Sequence, residues 1–327
     1  MNIKHLIGTI FLLGSLFCNS QNFNYVDEIV ENYSQFKTLE ELSNQIEKDF
    51  KTDTDRVRAA FYWVATKMNY GKNLDEFFQA PKLFSYLTEH EKETKLSEIT
   101  YENRTRAFSN QRGVCVDYSS IFQEICSNFG LETALIKGLT KNEISVLTSE
   151  KQYKNHVWNA VKINGAWKLF DCTWASGFFD NTANDFIKKF NGFYFDTNPN
   201  TLIKSHFPKE QKWQLLDKKI NLSTFLQGPI FYPEFFKRDL KLADNTSGHL
   251  KILSSGYSTI TLKNLPRDQQ LFYRSAKKNL RKVKSKKVDQ FHVIKLKTKL
   301  LEESGEYFTF YLESDPIVRF KINTNVP

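Results

Sequence analysis

Residues 156–173 read HVWNAVKINGAWKLFDCT, two apolar-rich runs divided by Asn164-Gly165. A type I′ turn needs φ > 0 at both central residues, and Asn-Gly is the pair that meets this most readily. The spacing therefore predicts a two-residue hairpin in which Ile163 pairs with Ala166. Carried outward, that register sets His156 opposite Thr173 and Trp158 opposite Asp171. All four fall on one side of the sheet, because side chains alternate with period two. Asp171 lies on the diagonal from His156, where Cα atoms sit roughly 7–8 Å apart and an imidazole can meet a carboxylate. Val157, Asn159, Val161, Phe170 and Cys172 take the opposite face.

Upstream, Cys115 stands in Gly113-Val114-Cys115-Val116-Asp117-Tyr118, where a loop gives way to a helical pattern. The predicted helix covers residues 115–129, with Tyr118, Ser119, Phe122, Ile125, Cys126 and Phe129 on the Cys115 stripe and Gly130 as its stop. A thiol at a helix start is favoured as thiolate by the free N–H groups and the macrodipole there. Cys115, His156 and Asp171 together supply a nucleophile, a base and an orienting carboxylate, the parts of a thiol acyl-transfer enzyme. Cys126 lies about 16 Å along the helix from Cys115, so those two cannot be bridged. Cys126 reads as core, and a Cys126–Cys172 disulfide stays open.

The remaining chain bounds this chemistry. At 327 residues it is long enough for two domains. Lys4 and His5, the apolar run of residues 6–17 and the small Ser20 have the layout of a secretory leader, too short to span a bilayer comfortably. Export with cleavage before Gln21 is expected, as a periplasmic or secreted protein; Phe17 stands against lipid anchoring at Cys18, where a small residue is wanted. Such a cleaved chain keeps three cysteines, and an odd count flags a free thiol. Residues 251–327 hold 16 Lys+Arg against 7 Asp+Glu, the whole of the net charge of +9. A solvated turn or contact with an anionic envelope surface accounts for that excess; no aromatic-interleaved motif points to nucleic acid. The six His do not cluster at ligand spacing and the thiols are too dispersed, no phosphate-binding Gly loop is present, and no metal or cofactor is expected. No later segment is apolar enough for a transmembrane helix.

Periodicity predicts one helix over residues 23–50 and a second over 55–68 capped by Asp53 or Thr54. Short helices and loops are expected over 71–110, and a strand over 131–138. From about Leu250 short alternating strands take over, clearest at 307–312 and 317–322. The expected organisation is a leader (1–20), a helix-rich catalytic domain (21–220) and a basic β-sandwich-like domain (221–327).

The segments Arg112-Gly113-Val114-Cys115, His156-Val157-Trp158-Asn159 and Asp171-Cys172-Thr173-Trp174-Ala175-Ser176-Gly177 resemble the transglutaminase-like superfamily, particularly its kyphoscoliosis-peptidase-like branch. The order Cys, His, Asp agrees, and residues 56–70 (RVRAAFYWVATKMNY) and 205–216 (SHFPKEQKWQLL) add weaker matches. The resemblance implies an α+β, papain-like core in which a Cys-bearing helix packs on an antiparallel sheet. It also implies thiol chemistry on a protein or peptide amide, with Cys115 attacking, His156 shuttling the proton and Asp171 orienting His156. The Cys115 backbone N–H and Gln111 are candidate oxyanion donors; Trp158 and Trp174 are candidate cleft walls. Val116-Asp117-Tyr118-Ser119 departs from the family, which often has a small residue and then Gly-Tyr-Ala, so Val116 and Asp117 are expected to narrow or polarise the site. Peptidase-like hydrolysis is the leading expectation. The alternatives are a crosslinking transamidase and a non-catalytic binding module, since fold membership does not choose among them.

Overall fold

A computed structural model describes residues 22–71, 84–141, 144, 156–180, 185–244, 246–253, 255–266, 269–274 and 279–323. The leader-like segment, Cys18 included, lies outside the described residues. The first part is helical. Residues 23–50 form two helices rather than one, α1 (Asn24–Glu31) and α2 (Leu39–Asp49). The break follows from Thr38, whose side chain accepts the Glu41 N–H while Glu41 accepts the Lys37 N–H. That reciprocal cap starts a new helix inside a continuous apolar pattern.

Helix α3 (Asp53–Lys67) is capped by Thr52, one residue before the expected Asp53, because the Thr52 side chain accepts the Asp55 N–H. Its buried Arg58 holds Asp27 of α1 through two bonds of 2.8 and 2.6 Å, with the Phe23, Phe61, Phe190 and Phe195 rings around the guanidinium. Phe61, fully buried, packs edge-on against Phe122, Phe190 and Phe195 and tilted against Phe170. Such a ring is worth about 3–5 kcal/mol over Ala.

Residues 89–110 overturn the expectation of short helices and loops: they form one 22-residue helix, α4 (Glu89–Asn110). It is mostly solvated, so apolar periodicity could not reveal it. Thr88 caps it, the pairs Glu89–Lys92 and Glu91–Lys95 support its first turns, and Phe108 stacks on Trp63 of α3. Two short strands, β1 (Asn69–Tyr70) and β2 (Arg112–Gly113), pair in parallel beyond it.

Helix α5 (Cys115–Asn128) packs on a four-stranded antiparallel sheet. That sheet comprises β3 (Thr133–Thr140), β4 (His156–Ile163), β5 (Ala166–Phe170) and, after the two-stranded β6 (Gly177–Asp180) and β7 (Asp185–Lys188), β8 (His206–Pro208), in the order β5-β4-β3-β8. The hairpin turn has φ of 50° at Asn164 and 78° at Gly165, and Ile163 pairs with Ala166 as the sequence predicts. The register holds out to Asn159–Phe170 and then stops. Thr173 does not face His156, because Asp171 ends the strand and caps a short helix, α6 (Cys172–Ser176).

The C-terminal region is strand-rich. One sheet runs β10 (Lys241–Leu242), β12 (Tyr257–Lys263), β16 (Phe291–Lys297), β15 (Ser285–Val288); the other runs β11 (His249–Lys251), β18 (Asp315–Asn323), β17 (Tyr307–Leu312), β13 (Leu271–Arg274), β14 (Leu280–Lys282), with β9 (Ile230–Phe231) also on β18. Ile260, Leu262, Ile294 and Leu296 of the first meet Phe308, Phe310, Val318 and Phe320 of the second in one core. A separate core, from Val26 to Leu202, sits between helices α1–α6 and the first sheet. Buried Lys141, just past β3, donates to the carbonyls of Phe225 and Gly228 and so ties the sheet to the segment leading into β9. Among the described residues no helix is long and apolar enough to cross a membrane.

Candidate functional site

Cys115 is the first residue of α5, so its backbone N–H has no acceptor within the helix, and the side chain is half-buried. The turn that presents it is built by Asp117, which accepts the Val114 N–H at 2.9 Å. Burial raises the Asp117 carboxyl, while that hydrogen bond and nearby Arg106 oppose the rise. Asp117 therefore caps the helix instead of polarising the cleft, which corrects the expectation from sequence. Gly113 makes this packing available: a Cβ there would come within 2.5 Å of the Asp117 Cβ. Val116 is largely exposed beside the thiol.

Helix and sheet are fixed to each other by polar groups. The Ser119 hydroxyl donates to the Val157 carbonyl at 2.9 Å, and the Asn159 amide donates to the Ser119 carbonyl at 3.0 Å. His156, at the start of β4, is thus set against the start of α5. Its Nε2 lies 2.6 Å from Asp171 Oδ2, so the diagonal contact inferred from the hairpin forms although the strand ends at Phe170. Asp171 Oδ1 accepts the Trp174 N–H at 2.9 Å, the capping bond of α6. Cys115 is the other group whose charge favours the imidazolium.

Burial disfavours the His156 imidazolium, but the Asp171 carboxylate outweighs it and Cys115 adds to it, so His156 is pushed up to about 10. Burial alone would raise Asp171; His156 and then His206 reverse that and hold it well below the usual carboxylate range. The pair is an imidazolium–carboxylate couple across the neutral range. Cys126 and Cys172 are free thiols whose complete burial pushes both well up, which leaves Cys115 as the accessible sulfur among the described residues. Tyr70, stacked on Phe186 at 4.9 Å, is raised to about 12 by burial, with Cys115 and Asp171 contributing charge.

The other predicted residues fare differently. Trp158 is buried, stacked on His156 at 6.1 Å, with Gly138 leaving room for its ring; it lies behind the imidazole and is not a wall of an open cleft. Strand alternation, which puts it on the His156 side, also puts it under the sheet's cover. Trp174 is half-buried against His156 and Tyr194. Gln111 is the left-handed cap of α4, and its carbonyl accepts the Asn69 N–H. That backbone role positions the loop before Cys115.

Sequence reasoning missed His206. It stands on β8, pairs with Thr140 of β3, and places Nε2 2.9 Å from Asp171 Oδ2. The expectation that no histidines cluster is corrected accordingly: His156, Asp171 and His206 bring three donor atoms within 4.8 Å of one another. Their direct contacts of 2.6 and 2.9 Å are hydrogen bonds, shorter than the roughly 3.3 Å between two ligands on one tetrahedral zinc. The segment 205–216 was the available signal, but its partner is 35 residues away in sequence.

A profile of the Transglutaminase-like superfamily matches residues 40–172, from α2 to the start of α6. Those residues carry a transglutaminase-like domain, as the resemblance read from sequence implies. The chain is 26% identical over 253 residues to kyphoscoliosis peptidase of Homo sapiens, covering 77% of this chain and 35% of that one. It is 26% identical over 264 residues to hillarin of Drosophila melanogaster (76% and 30%), and 27% identical over 165 residues to cytokinesis protein 3 of Saccharomyces cerevisiae (46% and 18%). The chain thus spans about a third or less of the length of these relatives. The kyphoscoliosis-peptidase-like branch and the α+β transglutaminase-like fold read from sequence both hold.

Proposed function

We propose that this chain is a cysteine acyl-transfer enzyme that hydrolyses an amide bond of a protein or peptide. The observation that carries the reading is the buried His156–Asp171 couple set against a half-exposed thiol at a helix start. With Nε2 committed to Asp171, Nδ1 is the nitrogen left to exchange a proton with Cys115 Sγ. The thiolate attacks the carbonyl carbon, and the oxyanion is met by the Cys115 N–H. The C–N bond breaks as the imidazolium gives its proton to the departing amine, leaving a thioester on Sγ. Water, deprotonated by His156, then releases the acid and restores the thiol. Asp171 stays ionised throughout and steadies the imidazolium. The reading extends to export, on the strength of the leader-like segment, for which a secreted chain starting close to Gln21 is the mark.

Incubation of the purified protein with unfolded casein and a fluorescent primary amine tests the reaction. Hydrolysis predicts new peptide termini that disappear in Cys115→Ser. Amine incorporation without cleavage would replace hydrolysis by transamidation, and neither product would count against the reading.

A further inference from the structure

Asp171 is the meeting point of three donors. Its Oδ1 takes the Trp174 N–H, and its Oδ2 faces two imidazoles, His156 at 2.6 Å and His206 at 2.9 Å. The His206 side chain is fully enclosed, with Trp174 edge-on at 4.6 Å, Trp158 at 5.1 Å and Tyr194 at 6.2 Å. On its far side Nδ1 lies 2.7 Å from the Ser205 hydroxyl. The polarity of this chain is fixed by elementary bookkeeping. An ionised Asp171 can only accept, so His206 donates through Nε2–H. A neutral ring must then accept at Nδ1, and the Ser205 O–H donates to it at 2.7 Å, with the Leu202 carbonyl a longer second acceptor at 3.3 Å. Burial pushes His206 down, and the neighbouring imidazolium pushes the same way, against the pull of Asp171.

We propose that His206 is a positioning residue for the Cys115–His156–Asp171 site: held by Ser205, it donates to Asp171 Oδ2 and keeps that carboxylate ionised and aimed at His156. The assignment rests on the acyl-transfer reading above. A carboxylate held by backbone N–H alone could rotate about its Cβ–Cγ bond; two imidazoles on one oxygen and an N–H on the other leave it a single orientation. Removing one donor from a buried anion makes it easier to protonate. The titratable groups acting on Asp171 are His156 from β4, His206 from β8, Tyr194 from the segment after β7, Tyr70 from β1 and the adjoining Cys172; Cys115 acts through His156. Of these, His156 and His206 are the ones that lower it.

The test is the pH dependence of Cys115 alkylation by iodoacetamide in the full chain, followed by peptide mass spectrometry. Labelling has an acid edge where the Cys115 thiolate takes up a proton, and His206→Phe, by loosening the carboxylate that steadies the His156 imidazolium beside that thiolate, moves the edge up by about one pH unit or more. His206→Gln, whose amide reaches the Nε2 position, keeps the edge within about 0.3 unit of wild type. Ser205→Ala empties no core space and shifts the edge in the same direction by less, so it decides the matter if His206→Phe does not fold. Unmoved edges in both Ser205→Ala and a folded His206→Phe, with fast wild-type labelling, overturn the role of His206 alone. A wild-type Cys115 that labels no faster than Cys126 overturns the acyl-transfer reading and this assignment with it.

Discussion

At the scale of single residues the account turns on His156 and Asp171, two groups shifted in opposite directions by one contact. An imidazole raised from 6.5 to about 10 contributes protonation-linked stability that is complete below pH 6.5 and is lost as pH climbs through about 10. For Asp171, depressed in the fold, the contribution is present above its ordinary value and is lost only on strong acidification. Melting temperatures of wild type and His156→Gln should therefore differ by a constant amount through mildly acid pH and converge between pH 7 and 10. A gap that widens toward alkaline pH would contradict the couple. The triad could be read from sequence because each member sits at a marked place: a helix start, a strand, a register diagonal. His206 could not, since nothing local tells that the Ser205-His206 pair closes onto Asp171.

At the scale of elements, the start of α5 is where sequence and structure diverge most usefully. Asp117 replaces the residue type expected after the nucleophile, yet its carboxylate turns back to the Val114 N–H, a capping role that family comparison does not predict. Gly113→Ala would drive a Cβ to 2.5 Å from Asp117 Cβ and 2.6 Å from Oδ2. The cap must then open, at a cost of about 1–2 kcal/mol by urea denaturation. Asp117→Ala should cost about 1 kcal/mol. The double variant should be no worse than Gly113→Ala, because both act through one contact. Strict additivity would contradict the packing. The Asn164-Gly165 hairpin was legible because its turn chemistry is local. Helix α4 was not, since a polar helix carries no apolar period, and the Thr88–Glu91 capping signature was its one local mark.

At the scale of the whole molecule, two apolar cores meet where Phe193 stacks on Phe236 at 5.9 Å and where the chain crosses between them. Phe225 packs on Phe207 of β8 and Lys141 holds the carbonyls of Phe225 and Gly228, whereas Ile230 already pairs with β18. Burial, with Lys204 nearby, pulls Lys141 down to about 7, so its amine depends on those two acceptors. We place the boundary after Gly228 rather than at residue 220: a fragment of residues 22–228 should fold and keep thiol reactivity. One ending at residue 220 should melt lower, having lost both acceptors of a buried amine. If residues 22–228 fail to fold, the two cores form one unit. The change from helical to strand periodicity announced two parts, but the crossing point depends on long-range contacts that no local pattern carries. The central claim concerns which of the three thiols in the described chain is active, and one measurement addresses all of them together. The native full-length protein is treated with iodoacetamide at pH 6, where an ordinary thiol of pKa about 8.5 is almost wholly protonated, and occupancy at Cys115, Cys126 and Cys172 is followed by peptide mass spectrometry. The account predicts rapid labelling of Cys115, none of Cys126 or Cys172, and loss of the rapid phase in His156→Ala; labelling of Cys115 no faster than Cys126, or unchanged in His156→Ala, would contradict it.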